Sequence, residues 1–110
     1  MDVGQLTERM AGWIAEEYKA VIFSDTDPVG YALFKREPDS IYLRQLFIRR
    51  DKRRLGLGRH AFGVLRSQIW PSDVRLTVEV LCSNVGATAF WRSVGFKDYF
   101  LALEIDPVRP

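Results

Sequence analysis

The sequence predicts an α/β fold, a mixed sheet in which an antiparallel meander is followed by a parallel βαβ crossover, flanked by helices. Three observations carry this. Short β-rich runs at 18–24, 31–36 and 41–48 are separated by tight-turn chemistry, which makes them antiparallel neighbours. From residue 58 the apolar spacing changes from alternation to a period of about 3.6. Beyond that helix an alternating strand, 74–80, returns to the sheet, and a right-handed crossover makes it parallel to 41–48.

Each element has its own warrant. Residues 2–16 read as an amphipathic helix, with Leu6, Met10, Trp13 and Ile14 on one face and Glu8, Arg9, Glu16 and Glu17 mostly off it. "YKAVIFS" (18–24), "YALFKR" (31–36) and "IYLRQLFI" (41–48) are strands, and "DTDPVG" and "EPDS" are the turns between them. Ala61, Phe62, Leu65 and Ile69 mark a helix over 58–70. It ends at Trp70-Pro71, because the residue before proline avoids the helical region. Val74, Leu76, Val78 and Val80 alternate along the next strand. A second helix presents Ala87, Phe90, Trp91 and Val94 on one face. Gly95 stands at its left-handed C-cap, with Phe96 folding back on the last turn. "FKDYFLALEI" (96–105) reads as a last strand.

The 110 residues fit one domain, 1–110, large enough for a single core. No apolar run approaches the ~20 residues of a membrane helix, and the N-terminus lacks an export signal. Cys82 is the sole cysteine, so no internal disulfide forms and the cytoplasm is the expected compartment. Cys82 itself is expected to be a small buried hydrophobe. No metal site is expected.

The stretch "RRDKRRLGLGRH" (49–60) concentrates the chemistry. Six basic residues against Asp51 put +5 on a segment of a chain whose total is +2, leaving −3 elsewhere. A field this local suits a local anion better than a long polyanion. No Gly-Lys-Ser/Thr follows, which excludes a Walker loop. "GLGRHA" matches G-x-G-x-x-G/A, but charged and bulky residues separate it from the preceding strand, unlike a dinucleotide-binding unit. Nucleic-acid binding accounts for the arginines and leaves the glycines unexplained, and a solvated basic loop is the plainest alternative. Gly56 and Gly58 allow a tight turn that exposes consecutive N–H groups at a helix start, where a pyrophosphate binds well. Flanking arginines suit a further phosphate. Coenzyme A carries both.

Two stretches together resemble the GNAT superfamily of N-acyltransferases. Arg53-Arg54-Leu55-Gly56-Leu57-Gly58 matches its R/Q-x-x-G-x-G/A loop. "LTVEVLCSNVGATAFWRSVGF" (76–96) matches its second signature, a strand with Glu, then Asn, then Ala, an aromatic pair and Gly-Phe. The resemblance covers about 18–105. It implies that the backbone of Arg54 to Arg59 cradles the pyrophosphate, with Arg53, Arg54, Leu55, Gly56, Leu57, Gly58 and Arg59 as cofactor-binding residues. It implies that pantetheine adds to the edge of the strand ending at Leu46, Phe47 and Ile48, where parallel strands splay beside a bulge. Asn84 takes a position that often touches the cofactor arm.

The implied activity is transfer of acetyl from acetyl-CoA to a primary amine of a small molecule or protein. Glu79 is the candidate base, and a solvent-facing strand residue is its alternative reading. Gln45 stands where relatives carry a carboxylate, and it cannot act as a base. Phe90-Trp91 replaces the usual aromatic pair ending in an acidic tyrosine, and an indole N–H does not release its proton. Trp91 is therefore read as packing, and Tyr42, Tyr99 or water as substitute acids. His60 is read as an exposed residue of the first helical turn. The alternative function is a catalytically degenerate domain of the same fold that binds CoA or a protein partner without turnover. The N-terminal segment is short for the superfamily, so a homodimer is expected, and neither nucleic acid nor a membrane is an expected partner.

Overall fold

Five strands form one sheet in the order β1-β2-β3-β4-β5. They are β1 (Thr7–Ala15), β2 (Tyr18–Asp25), β3 (Asp27–Arg36), β4 (Ser40–Ile48) and β5 (Arg75–Val78). Adjacent pairs from β1 to β4 are antiparallel, and β4–β5 is parallel. The computed structural model describes residues 7–15, 17–53 and 56–108, in two units that divide after Glu79.

The meander follows from alternation. Val21, Phe23, Ala32, Phe34, Ile41, Leu43 and Ile48 are buried. Above them runs α1 (Leu57–Val64), whose Leu57, Ala61 and Phe62 are buried too. A π-helical turn, Leu65–Ile69, extends α1 and closes with the Trp70 N–H on the Leu65 carbonyl at 2.8 Å. Pro71 explains this ending: Trp70 must leave helical geometry, and does so at φ −100°, ψ 145°. The released Trp70 ring drops edge-on against Phe34 at 5.5 Å and Phe62 at 6.1 Å, joining helix to sheet. No described helix is long and apolar enough to cross a membrane.

Two expectations are corrected. The segment expected as a helix over 2–16 forms β1 over Thr7–Ala15, paired with β2 from Thr7↔Ser24 to Ala15↔Tyr18; residues 1–6 and 16 lie outside the described residues. A neighbouring strand with open main-chain groups outweighs a weak helical period, and Gly12 disfavours a helix interior. The register slips between Met10 and Gly12 and between Trp13 and Ala15, and such slips break the two-residue alternation of a regular strand. The second correction is 96–105, which forms no strand. Among its described residues, the unit from Val80 onward contains no other strand, so it offers no ladder to complete one.

The expected 18–24, 31–36 and 41–48 correspond to β2, β3 and β4, with β3 starting earlier, at Asp27. The expected crossover corresponds to β4, α1 and β5, and the second helix to α2 (Val85–Ser93).

Candidate functional site

The parallel ladder is short. β4 and β5 pair from Ser40↔Arg75 to Leu43↔Val78 and no further. On its other side β4 stays paired with β3 to Ile48, but the register slips once. Leu33 faces Gln45 and Phe34 faces Leu43, so Arg44 is the extra residue of a β-bulge. The ladder to β5 therefore ends where the bulge begins, and residues 45–48 continue without β5 beside them. Gly30 fixes the far end of this segment. It pairs with Ile48, and a Cβ there would collide with the Phe47 carbonyl oxygen and lie 3.0 Å from Ile48 Cδ1.

Past Ile48 the chain makes a 3-10 turn, Arg50–Lys52, then enters α1. Two arginines flanking the turn hold it together. Arg49 forks onto Asp51, Nε to Oδ1 at 2.8 Å and Nη2 to Oδ2 at 2.9 Å, and Nη1 donates to the Pro28 carbonyl at 3.1 Å. That bidentate hydrogen bond holds the Asp51 carboxyl below the usual carboxylate range. Arg53 folds back on β4. Its Nε donates to the Ile48 carbonyl at 2.8 Å, and its guanidinium lies 5.4 Å from the Phe47 ring centroid. Phe47 in turn packs on Tyr31 at 5.4 Å, beside a shallow apolar cavity of about 230 Å³.

Gly56 is the N-cap of α1 at φ +75°, ψ 10°, the left-handed region that glycine enters without penalty. Among the described residues no side chain caps this helix. The first closing bond is the His60 N–H to the Gly56 carbonyl at 3.1 Å, so the Leu57 and Gly58 amides precede the intrahelical ladder. Leu57 is buried and anchors the turn, Gly58 is half-buried, and Arg59 is exposed. Of the sequence-predicted cofactor residues, Phe47 and Ile48 end β4, Arg53 follows the 3-10 turn, and Gly56, Leu57, Gly58 and Arg59 form the start of α1. Arg54 and Leu55 lie outside the described residues.

Glu79 follows β5 immediately and is exposed. The Tyr42 hydroxyl donates to its Oε1 at 3.2 Å, across a sequence separation of 37 residues. Burial, then the neighbouring Glu79 charge and the hydrogen bond to it, push the Tyr42 phenol above its ordinary 10.0, with Arg44 pulling the other way. Phenolate is the charged form, so both burial and a nearby carboxylate disfavour it. In Glu79→Gln the Tyr42 titration is expected to move down yet stay above its ordinary value, because burial is the larger cause. Difference absorbance of tyrosinate against Tyr42→Phe checks this; an unmoved midpoint would show that the two groups are uncoupled. Tyr42 is legible in the sequence only as a spare acid. Neither its bond to Glu79 nor the bulge at Arg44 can be read there, because neither leaves a mark in strand alternation.

In the second unit Asn84 caps α2, its Oδ1 accepting the Ala87 N–H at 3.0 Å. The helix closes as expected at Gly95, φ +119°. Gly95 N–H bonds the Arg92 carbonyl at 3.2 Å and Phe96 N–H the Trp91 carbonyl at 3.0 Å, a Schellman motif. Trp91 packs edge-on to Phe90 at 4.9 Å and to Phe96 at 5.4 Å, the hydrophobic contact that accompanies this motif. Gly95→Ala is expected to lower stability by about 1 kcal/mol through backbone conformation alone, since nothing lies within 4 Å of a Cβ there; chemical denaturation measures it. Cys82 is exposed, correcting the expectation of burial. It sits in the Leu81–Asn84 turn, closed by the Asn84 N–H to the Leu81 carbonyl at 2.9 Å.

A family model described as an acetyltransferase (GNAT) domain matches residues 1–102. No curated protein matches the chain. Among solved structures, a mutant BH1408 protein from Bacillus halodurans is similar at 21% identity and a TM-score of 0.73, over 89% of this chain and 71% of that one. An acetyltransferase from Thermus thermophilus is 30% identical with a TM-score of 0.66, over 76% of this chain and 56% of that one. AAC(6')-Iy, in complex with the bisubstrate analog CoA-S-monomethyl-acetylneamine, has a TM-score of 0.71 at 10% identity, over 94% of this chain and 99% of that one. At that identity the likeness is one of fold.

Proposed function

The chain belongs to the GNAT acetyltransferase domain family, and from that premise we propose that it transfers acetyl from acetyl-CoA to a primary amine of a small molecule or protein. One observation carries the reading: the β4–β5 ladder stops at the Arg44 bulge, so an extended edge, 45–48, leads toward the uncapped start of α1. An extended arm ending in a pyrophosphate suits that sequence of features. Main chain near Phe47 and Ile48 takes the arm, and the Gly56–Arg59 turn, with Arg54 and Leu55 before it, takes the pyrophosphate. Arg53, already braced on the Ile48 carbonyl, contributes positive charge beside both. Asn84 is read as the α2 cap.

Acetyl-CoA supplies an activated thioester. The protein must supply a neutral amine, since a primary amine with a pKa near ~10.4 is mostly protonated at neutral pH. Glu79 is the base in this reading, accepting the proton directly or through water, with Tyr42 holding Oε1 and leaving Oε2 for the amine. The ammonium proton leaves by way of the carboxylate to solvent, the C–N bond forms and the C–S bond breaks, and the second proton lost by nitrogen passes through water to the CoA thiolate, which departs as the thiol. Tyr42 is a poor donor to the departing thiolate, because its proton is held above the ordinary range. Trp91 is not a proton donor. That favours a second reading, CoA binding without turnover. A thiol-release assay over an amine library separates the two, and calorimetry with acetyl-CoA and CoA tests both. Absence of binding at millimolar ligand would sink the proposal.

Both units fall largely within the matched residues, which supports reading 1–110 as one functional domain. The cytoplasm is proposed from the single cysteine. A homodimer is proposed from the exposed apolar side chains Leu101, Leu103 and Ile105, at 77%, 86% and 94% exposure. Light scattering at micromolar concentration that returned a monomer would remove it.

A further inference from the structure

The face of the sheet that carries Tyr42 also carries charge. Tyr18, Lys35 and Tyr42 stand in one cross-strand row, paired Tyr18↔Lys35 and Lys35↔Tyr42. Two cations lie against the Tyr18 ring, Lys35 Nζ at 5.6 Å and the Arg44 guanidinium at 5.8 Å from its centroid. They differ in what balances them. Lys35 has two carboxylates, Glu17 and Glu37, each at 3.8 Å. Arg44 is exposed and has no carboxylate within salt-bridge distance among the described residues.

Arg44 is also the bulge residue, at the point where β5 leaves β4. A bulge re-aims a side chain, and here it sets an exposed guanidinium on the strand that carries Tyr42, two residues away. Its charge is felt at Tyr42, whose phenol it draws downward. Glu79 on one side suits an ammonium arriving to be deprotonated. Arg44 on the other suits an anion, and its planar fork matches a carboxylate or phosphate in two bonds.

We propose that Arg44 determines acceptor specificity: the acceptor amine also carries an anionic group, carboxylate or phosphate, which Arg44 holds while the amine nitrogen faces Glu79 and Tyr42. The proposal rests on the acetyl-transfer reading above and goes further in naming the acceptor class. It predicts a preference that an exposed surface arginine elsewhere does not create.

The test uses the full chain, acetyl-CoA and matched acceptors. One pair is an amino carboxylate and its carboxamide, and the other is a phosphorylated amino alcohol and its unphosphorylated parent. The expected kcat/KM ratio, anionic over neutral, is about tenfold or more in at least one pair, and which pair shows it tells carboxylate from phosphate. In Arg44→Gln that ratio falls toward one, in Arg44→Lys part of it survives, and in Arg36→Gln, the last residue of β3, paired with Ile41, it is retained. Equal rates within both pairs, or a ratio unchanged in Arg44→Gln, overturn the proposal. Should no acceptor turn over, the acetyl-transfer reading fails separately. The same ratio is then read from calorimetric dissociation constants of the same four amines with CoA bound, and equal affinities overturn the proposal there too.

Discussion

Gly56→Asp combined with Gly58→Asp is expected to weaken acetyl-CoA binding by about 100-fold or more while leaving the protein folded. The two halves of that expectation have different causes. At Gly56 the backbone sits at φ +75°, where an L side chain costs about 1–2 kcal/mol, although nothing within 4 Å obstructs a Cβ. At Gly56 the loss is therefore one of turn shape and charge, not of crowding. Aspartate in the first turn of a helix is otherwise favourable, because it faces the positive end of the macrodipole. That gain offsets part of the strain at Gly56, so α1 persists. A phosphate brought to the same amides meets two carboxylates instead of open N–H groups. Gly56→Ala isolates the conformational part and is expected to weaken binding far less than the double variant. Calorimetry gives the affinities and circular dichroism the fold. A folded double variant that bound acetyl-CoA within about threefold of wild type would remove this turn from the pyrophosphate site.

How far the sequence alone discloses the fold and the site differs by element, for physical reasons. β2, β3 and β4 declare themselves because each buries one face, so alternation is enforced by the core: Val21 and Phe23, Ala32 and Phe34, Ile41 and Leu43. The end of α2 is legible because a Schellman motif has local grammar, and Gly95 and Phe96 alone spell it. β1 is not legible, because its pairing with β2 is a property of the partner strand, and the slips near Met10 and Trp13 scramble its period. Segment 96–105 has strand composition and no ladder among the described residues of its own unit, and composition does not make hydrogen bonds. The loop at Gly56 is legible because a positive φ demands glycine. The Tyr42–Glu79 contact is not, because it joins residues 37 positions apart through a crossover whose register no local pattern encodes. Arg44 reads as an ordinary polar strand residue until the ladder shows it to be the extra one.

Glu79→Gln is expected to lower kcat about 10²–10⁴-fold while leaving acetyl-CoA affinity unchanged, since a positioned base contributes about that much and the amide cannot accept a proton. Tyr42→Phe is expected to cost less, about tenfold, because it removes the hydrogen bond that fixes Oε1 but leaves the carboxylate in place. The pair is informative through its combination. If Tyr42 acts only by orienting Glu79, the double variant is no worse than Glu79→Gln alone, and the two effects are strongly non-additive. If Tyr42 delivers a proton to the thiolate, its loss adds fully. The pH profile separates the same alternatives. Burial, then the Glu79 charge and hydrogen bond, push the Tyr42 phenol up from its ordinary value, so its loss of a proton is expected to depress kcat only at the alkaline end of the profile. Deprotonation there puts a second negative charge beside Glu79 and ends the hydrogen bond. A wild-type enzyme whose kcat survives Glu79→Gln within about twofold has another base. Gln45 has no basic group, so it is not that base. In that event the Tyr42–Glu79 bond is a surface contact of the sheet, and the acetyl-CoA site stands without it.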